Sequence, residues 1–195
     1  MKYFAEGWSR AFDGPGRRWI VYLHGCNFRC AWCANPDSFL APAPGGEGPE
    51  IRELSPAGLA GAARLRRPLF TEGGGVTFGG GEPTLQADEL AETLALLREE
   101  GIHTAIESNA GTGAFRALAA MPDLLICDLK SANPETLRRV AGGDAARVRE
   151  NLRFAADWAR ALWIRVPLVR GVNDTPEELD ALRGALGELL RARRE

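Results

Sequence analysis

Trp19-Ile20-Val21-Tyr22-Leu23-His24-Gly25-Cys26-Asn27-Phe28-Arg29-Cys30-Ala31-Trp32-Cys33 decides how the rest of this chain is read. Its first five residues are apolar and rich in β-formers, which predicts a strand. Asp13-Gly14-Pro15-Gly16-Arg17-Arg18 just before it has the glycine and proline content of a tight loop. Directly after the strand, three of the chain's four cysteines stand in a CxxxCxxC array. Three thiolates so close together can hold an iron–sulfur cluster by three of its irons. A [4Fe–4S] cluster usually takes four cysteines, so this array would leave one iron open to another ligand.

Working outward, apolar runs alternate with helical stretches. Gly75 to Phe78 reads as a second strand, opening into Gly79-Gly80-Gly81-Glu82-Pro83. His103 to Ile106 is a third, ending in Glu107-Ser108-Asn109, and Leu124 to Ile126 a fourth, ending in Cys127-Asp128-Leu129-Lys130. Leu162 to Val169 is a fifth and carries Arg165. Between them, Ser55-Pro56 reads as a helix start running to Arg66. Leu90, Leu94 and Leu97 form one stripe closed by Gly101. Short helices are expected around 114–120 and from Asn133-Pro134, and a longer one over 145–160. Thr175-Pro176-Glu177-Glu178 reads as a capping box before the stripe Leu179, Leu182, Leu186, Leu189. Such alternation predicts a parallel sheet with right-handed crossovers, whose ligands sit beyond the carboxyl ends of the strands. The polar and glycine-rich clusters that follow the strands lie at those ends, so they predict one shared site. Asn35 to Glu50, rich in proline and glycine, is a long loop and a candidate lid or docking surface.

At 195 residues one domain spanning 1–195 is expected. A net charge of −2 gives no basic field for nucleic acid. No run reaches the roughly 18 apolar residues of a membrane span, and the first ten residues lack a signal peptide's apolar core. A cytoplasmic protein is the reading, and there clustered cysteines point to metal or redox chemistry more than to disulfides. Cys30-x-x-Cys33 alone is also the spacing of a thioredoxin-like dithiol, which leaves Cys26 unused. Zinc would need a fourth ligand, for which His24 or Cys127 can be proposed. His24 and His103 otherwise read as structural or surface residues, Cys127 as a buried cysteine facing away from Asp128, and the tryptophans mostly as core.

The cysteine array after a first strand, followed by Gly80-Gly81-Glu82-Pro83, resembles the radical S-adenosylmethionine (SAM) superfamily. More of the chain is similar to one branch, the glycyl-radical-enzyme activating enzymes of the pyruvate formate-lyase activase type. Asp13 to Arg18 fits DGxGxR, Cys30 to Asp37 fits CxxCxNP(E/D), and Asp128-Leu129-Lys130 fits DLK. Gly73 to Pro83 fits GGGVTxSGGEP with Gly79 in place of the usual serine. Arg165 to Asp174 resembles RxPLxPGxND with Arg170 in place of proline. The resemblance implies a partial (β/α)6-type parallel barrel. It also implies a [4Fe–4S] cluster on Cys26, Cys30 and Cys33, and SAM cleavage to methionine and a 5′-deoxyadenosyl radical. It places Trp32 near the adenine, gives Gly80, Gly81, Glu82, Lys130 and Arg165 to SAM, and gives Glu107, Ser108 and Asp128 to a monovalent cation. Asp is more usual than Glu at position 107. Asp13 and Arg18 would meet a glycyl-radical enzyme as protein substrate, with a flavodoxin- or ferredoxin-type reductant. Such chains usually continue into a sixth strand, so a truncated or minimal, more open form is expected. Three rivals stay open: an enzyme acting on a small molecule, of 7-carboxy-7-deazaguanine synthase type; an activase of anaerobic ribonucleotide reductase; and a non-catalytic iron–sulfur or zinc protein.

Overall fold

A computed structural model describes residues 1–40 and 48–192. Its strands are β1 (Lys2–Ser9), β2 (Arg18–Leu23), β3 (Arg52–Glu53), β4 (Gly75–Gly80), β5 (His103–Ser108), β6 (Leu124–Asp128) and β7 (Leu162–Arg165). They form one sheet in the order β3-β1-β2-β4-β5-β6-β7. The run from β2 through β4, β5 and β6 to β7 is parallel throughout, and these are the five strands expected. The antiparallel pair β1 and β3 was not expected. Ala5 and Gly7 blur the two-residue period of β1, which also bulges between Tyr3 and Ala5. Two-residue β3 is too short to carry any pattern. Among the described residues no helix is long and apolar enough to cross a membrane.

The helices are α1 (Pro56–Arg66), α2 (Ala87–Glu99), α3 (Phe115–Leu118), α4 (Pro134–Ala141), α5 (Ala145–Trp158) and α6 (Pro176–Ala192). Ser55 Oγ accepts from Gly58 N at 3.1 Å to start α1. Asn133 Oδ1 does the same for α4 at 3.0 and 3.3 Å, and Gly142 ends that helix at φ 68°. Only half of the α6 capping box forms. Glu178 N donates to Thr175 Oγ1 at 3.4 Å, while the Glu178 carboxylate accepts from Ser131 Oγ instead. Of the α6 stripe, Leu182 and Leu189 are buried and Leu179 is exposed.

Strand side chains alternate between two faces. Val21, Val76, Phe78, Ile106, Leu125 and Cys127 lie in the large core shared with Leu59, Leu90, Leu94 and Leu152 of the helices. Cys127 is fully buried there, which removes it as a fourth ligand for the loop thiols. On the opposite, inner face Ala105, Leu124 and Ile126 form a small separate cluster. The same alternate rows continue to Glu107, Asp128 and Arg165 at the carboxyl ends. Tryptophan departs from expectation: Trp19 is buried, but Trp8, Trp158 and Trp163 are exposed. Trp8 packs on Phe70 and under the Arg17 guanidinium at the rim.

The amino ends of the strands are closed by the loop before β2, not left free for a partner. Arg18 is fully buried. Its Nε donates to Thr77 Oγ1 at 2.7 Å, Nη2 to Val76 O at 2.8 Å and Nη1 to Pro15 O at 3.2 Å, with His103 Nδ1 also 3.2 Å away. Thr77 Oγ1 donates on to Asp13 O at 2.7 Å. Gly16, at φ 67°, and Gly74 make this closure fit: a Cβ would lie 2.2 Å from Thr71 O at the first and 1.9 Å from Arg17 O at the second. Gly75 is as tightly placed, with a Cβ falling 1.9 Å from His103 O. The expectation that Arg18 meets a partner protein is therefore corrected: it holds the loop to the sheet. His103 is structural, as read.

Candidate active site

The cysteine loop has a fixed shape of its own. Arg29 N and Ala31 N donate to Ala141 O and Val140 O, both at 2.9 Å, so the loop satisfies the last carbonyls of α4. Phe28 is buried and wedged between two glycines. A Cβ at Gly111 or Gly143 would come within 2.6 or 2.7 Å of its ring. Arg29 Nη1 donates to Cys26 O at 2.7 Å and to Phe28 O at 2.8 Å. The glycine turn after β4 is zipped to the same loop: Gly81 N donates to Leu23 O at 2.9 Å and Glu82 N to Gly25 O at 2.8 Å. Any side chain at Gly81 would put its Cβ 2.0 Å from Gly25 O.

Cys26, Cys30 and Cys33 open into a cavity of about 420 Å³, within the roughly 300–1,000 Å³ of small-molecule sites. Trp32, Gly80, Gly81, Ser108, Asp13, Glu107, Asp128, Lys130 and Arg165 share its walls. All three thiols are free and partly exposed. Burial pushes the Cys26 and Cys30 thiols up; the fields of Glu82 and the neighbouring cysteines add to this at Cys26, while Lys130 opposes it at Cys30. Iron would supply the positive charge that releases those protons. Among the described residues no three His, Cys, Asp or Glu side chains could hold a single metal ion. Thiolates of a four-iron cluster each take a different iron, so such a cluster does not require the three sulfurs to converge on one point. His24 Nε2 lies 3.4 Å from Leu40 O, and His24 does not line the cavity. Ser38, on the wall, is buried, and its Oγ has no hydrogen-bond partner among the described residues. Three free thiols on one cavity wall are a donor set that fits the expected cluster.

Across the cavity, Arg165 binds both carboxylates of the mouth. Nε donates to Asp128 Oδ1 and Nη1 to Glu107 Oε1, each at 2.8 Å, and Nη1 also reaches Phe12 O at 3.0 Å. Lys130 Nζ meets Asp128 Oδ2 at 3.3 Å. Burial, with the fields of Asp13 and Asp128, pushes Glu107 up to about 8 against the pull of Arg165. Arg165 thus already lies between the two carboxylates that the resemblance assigns to a monovalent cation. The third residue of that set, Ser108, turns its Oγ away to Glu82.

Gly79 is where the longer Glu107 finds room, since a Cβ there would stand 2.7 Å from Glu107 Oε2. Gly79→Ser is expected to push this carboxylate off Arg165 and cost about 1–2 kcal/mol, in the range of mild overpacking. In the double variant with Glu107→Asp most of that loss should return. Urea midpoints of the four proteins measure it, and strictly additive changes would refute the fit.

Glu82 puts its backbone, not its carboxylate, at the glycine turn. It is fully buried, and its side chain faces away from the cavity. Oε1 accepts from Thr84 Oγ1 at 2.5 Å, Thr84 N at 3.2 Å and Ser108 Oγ at 2.8 Å; Oε2 accepts from Asn109 N at 2.7 Å. Its carboxylate ties the β4 exit to the β5 exit. Asp13 faces inward, onto Glu107. Asn109 is the residue that sequence reading passed over; its place directly after Glu107-Ser108 at a strand end was the available signal. The candidate lid is described only outside residues 41–47; the remainder of that segment lies outside the described residues.

The fold is thus a parallel half-barrel that carries three cysteines beside a glycine turn, with paired acidic and basic side chains at its mouth. The chain belongs to the radical SAM superfamily, whose model matches residues 20–182. It is 34% identical over 176 residues to the pyruvate formate-lyase-activating enzyme of Staphylococcus aureus (strain USA300), covering 86% of this chain and 68% of that one. To the enzyme of the same name from Streptococcus mutans serotype c it is 32% identical over 175 residues, 86% of this chain and 65% of the relative. The chain thus spans about two thirds of the length of these curated relatives. A domain of pyruvate-formate lyase-activating enzyme from Bacteroides vulgatus ATCC 8482 superposes with a TM-score of 0.52 at 30% identity, over 58% of this chain and 71% of that one. Streptococcus suis SuiB bound to its precursor peptide shares the fold, with a TM-score of 0.65 at 17% identity over 88% and 36% of the two chains.

Proposed function

We propose that this chain is a single radical SAM domain that cleaves SAM reductively and installs a glycyl radical on a partner enzyme. The observation that carries this reading is the opening of Cys26, Cys30 and Cys33 into the same cavity as Gly80, Gly81, Lys130 and Arg165. The three thiolates would hold a [4Fe–4S] cluster with one iron free. When bound, that cluster supplies one electron to the SAM sulfonium, giving methionine and a 5′-deoxyadenosyl radical that takes hydrogen from a glycine Cα. The rest falls to the chain's own residues. Gly80 and Gly81 put bare backbone against the SAM ammonium. Lys130 and Arg165 offer charge to its carboxylate, so Arg165 exchanges part of its bond to Glu107 or Asp128 for the ligand. A monovalent cation would share those two carboxylates with Arg165. Trp32 supplies a flat apolar wall for the adenine. A cytoplasmic flavodoxin- or ferredoxin-type protein delivers the electron. The names of the relatives support a glycyl-radical enzyme as substrate.

Anaerobic reconstitution with iron and sulfide, then dithionite and SAM, tests the chemistry. Release of 5′-deoxyadenosine above the unreconstituted protein is expected, and none would sink the reading. A glycyl-radical enzyme encoded beside this chain should then show an EPR doublet. Cleavage without a doublet on that enzyme keeps the SAM chemistry and removes the substrate.

A further inference from the structure

The turn between Ser108 and Thr112 is pinned more firmly than a connecting loop requires. Asn109 N is bound by buried Glu82, and Ser108 Oγ accepts from Ala110 N at 3.0 Å. Asn151 Nδ2 donates to Ala110 O at 2.8 Å and to Thr112 O at 2.9 Å. Ala110 is held at φ 56°, a conformation that costs a non-glycine residue energy and persists only where neighbours impose it. All of this fixes one side chain. Asn109 is 6% exposed, and its Oδ1 accepts from Gly111 N at 2.8 Å, which settles which way the amide faces. The other end, Nδ2, donates to Asn27 Oδ1 at 2.9 Å and stands 3.9 Å from Cys26 Sγ.

We propose that Asn109 is a positioning residue for the cluster: its Nδ2–H donates to the Cys26 sulfur and so raises the cluster's reduction potential. This rests on the cluster reading above. A thiolate bound to iron is a stronger acceptor than a neutral thiol, and charge-assisted bonds are shorter, so the contact tightens on loading. Hydrogen bonds to cluster sulfurs stabilise the extra negative charge of the reduced state and are among the levers that set such potentials. The Asn27 contact holds the amide in place, and the Glu82 anchor holds its backbone. The chain through Glu82, Asn109 and Cys26 ties the glycine turn, the β5 exit and the cysteine loop together.

The test is an EPR-monitored redox titration of reconstituted wild type, Asn109→Ala and Asn109→Asp. The Asp variant keeps the acceptor for Gly111 N and loses the donor. Both variants are expected to hold iron and sulfide in wild-type ratio and to titrate at more negative potential. At the wild-type midpoint their reduced-to-oxidised ratio should be about tenfold lower, or 59 mV for one electron. Intact clusters with an unchanged midpoint overturn the proposal, as does a loss of iron content with no shift in the clusters that remain. Should the variants fail to load, wild type labelled with ¹⁵N in asparagine decides: a nitrogen coupling to the reduced cluster in electron–nuclear double resonance supports the bond, and its absence overturns it. A wild-type chain that takes up no iron and sulfide fails the cluster reading itself and this proposal with it.

Discussion

Cys30→Ala, carried through anaerobic reconstitution, is expected to release no 5′-deoxyadenosine above background, while its urea midpoint stays within about 1 kcal/mol of wild type. Both halves follow from where Cys30 stands. The loop around it is fastened by Arg29 N, Ala31 N and the wedged Phe28 ring, none of which involves its sulfur. The thiol is partly exposed, so removing it opens no sealed cavity. Two thiolates remain, which is too few to hold a four-iron cluster against exchange with solvent. Circular dichroism and denaturation report the scaffold, and chromatography of the nucleoside reports the chemistry. Residual activity close to wild type would remove Cys30 from the cluster; a large loss of stability would mean that its sulfur is structural.

Arg18→Ala is expected to do the reverse. It should cost about 3–5 kcal/mol, because the carbonyls of Val76 and Pro15 and the Thr77 hydroxyl oxygen each lose a donor and the stem leaves a cavity. Each kcal/mol moves the melting temperature of a chain this size by roughly 2–4 °C, so a drop of about 10 °C is expected by calorimetry. Burial has already drawn Arg18 down to about 10, a sign of how much desolvation those bonds offset. Arg18→Lys should recover only part of the loss, since one ammonium cannot reproduce the fork that spans Thr77, Val76 and Pro15. A shift below about 1 kcal/mol for the alanine variant would show the loop to be held by its glycines alone.

The two residues differ in how far the sequence showed their roles. Cysteine spacing, strand alternation and helix caps are local signals, and from them the half-barrel, the thiol triad and the inward row of Glu107, Asp128 and Arg165 were all legible. Arg18 was not, because a charged residue beside Gly14, Pro15 and Gly16 reads as surface. Its burial depends on the loop folding under strands 58 to 85 residues away in sequence. The direction of the Glu82 carboxylate was hidden for a related reason. Gly80 takes φ 94°, and that turn sends the next carboxylate to the far side of the sheet. Neither the sign of a glycine φ nor a partner such as Asn109 N is written in the neighbouring residues. β1 was hidden by its small residues and bulge.

The crowding at Gly74, Gly75 and Gly81 has a genealogical consequence. At each, a single added carbon would land about 2 Å from a backbone oxygen, whether or not any cofactor is ever bound. A descendant that lost Cys26, Cys30 and Cys33 would still fold and would be under the same pressure to keep those glycines. Within this lineage, the glycines of the Gly73–Pro83 stretch therefore mark descent, and only the thiols mark present use.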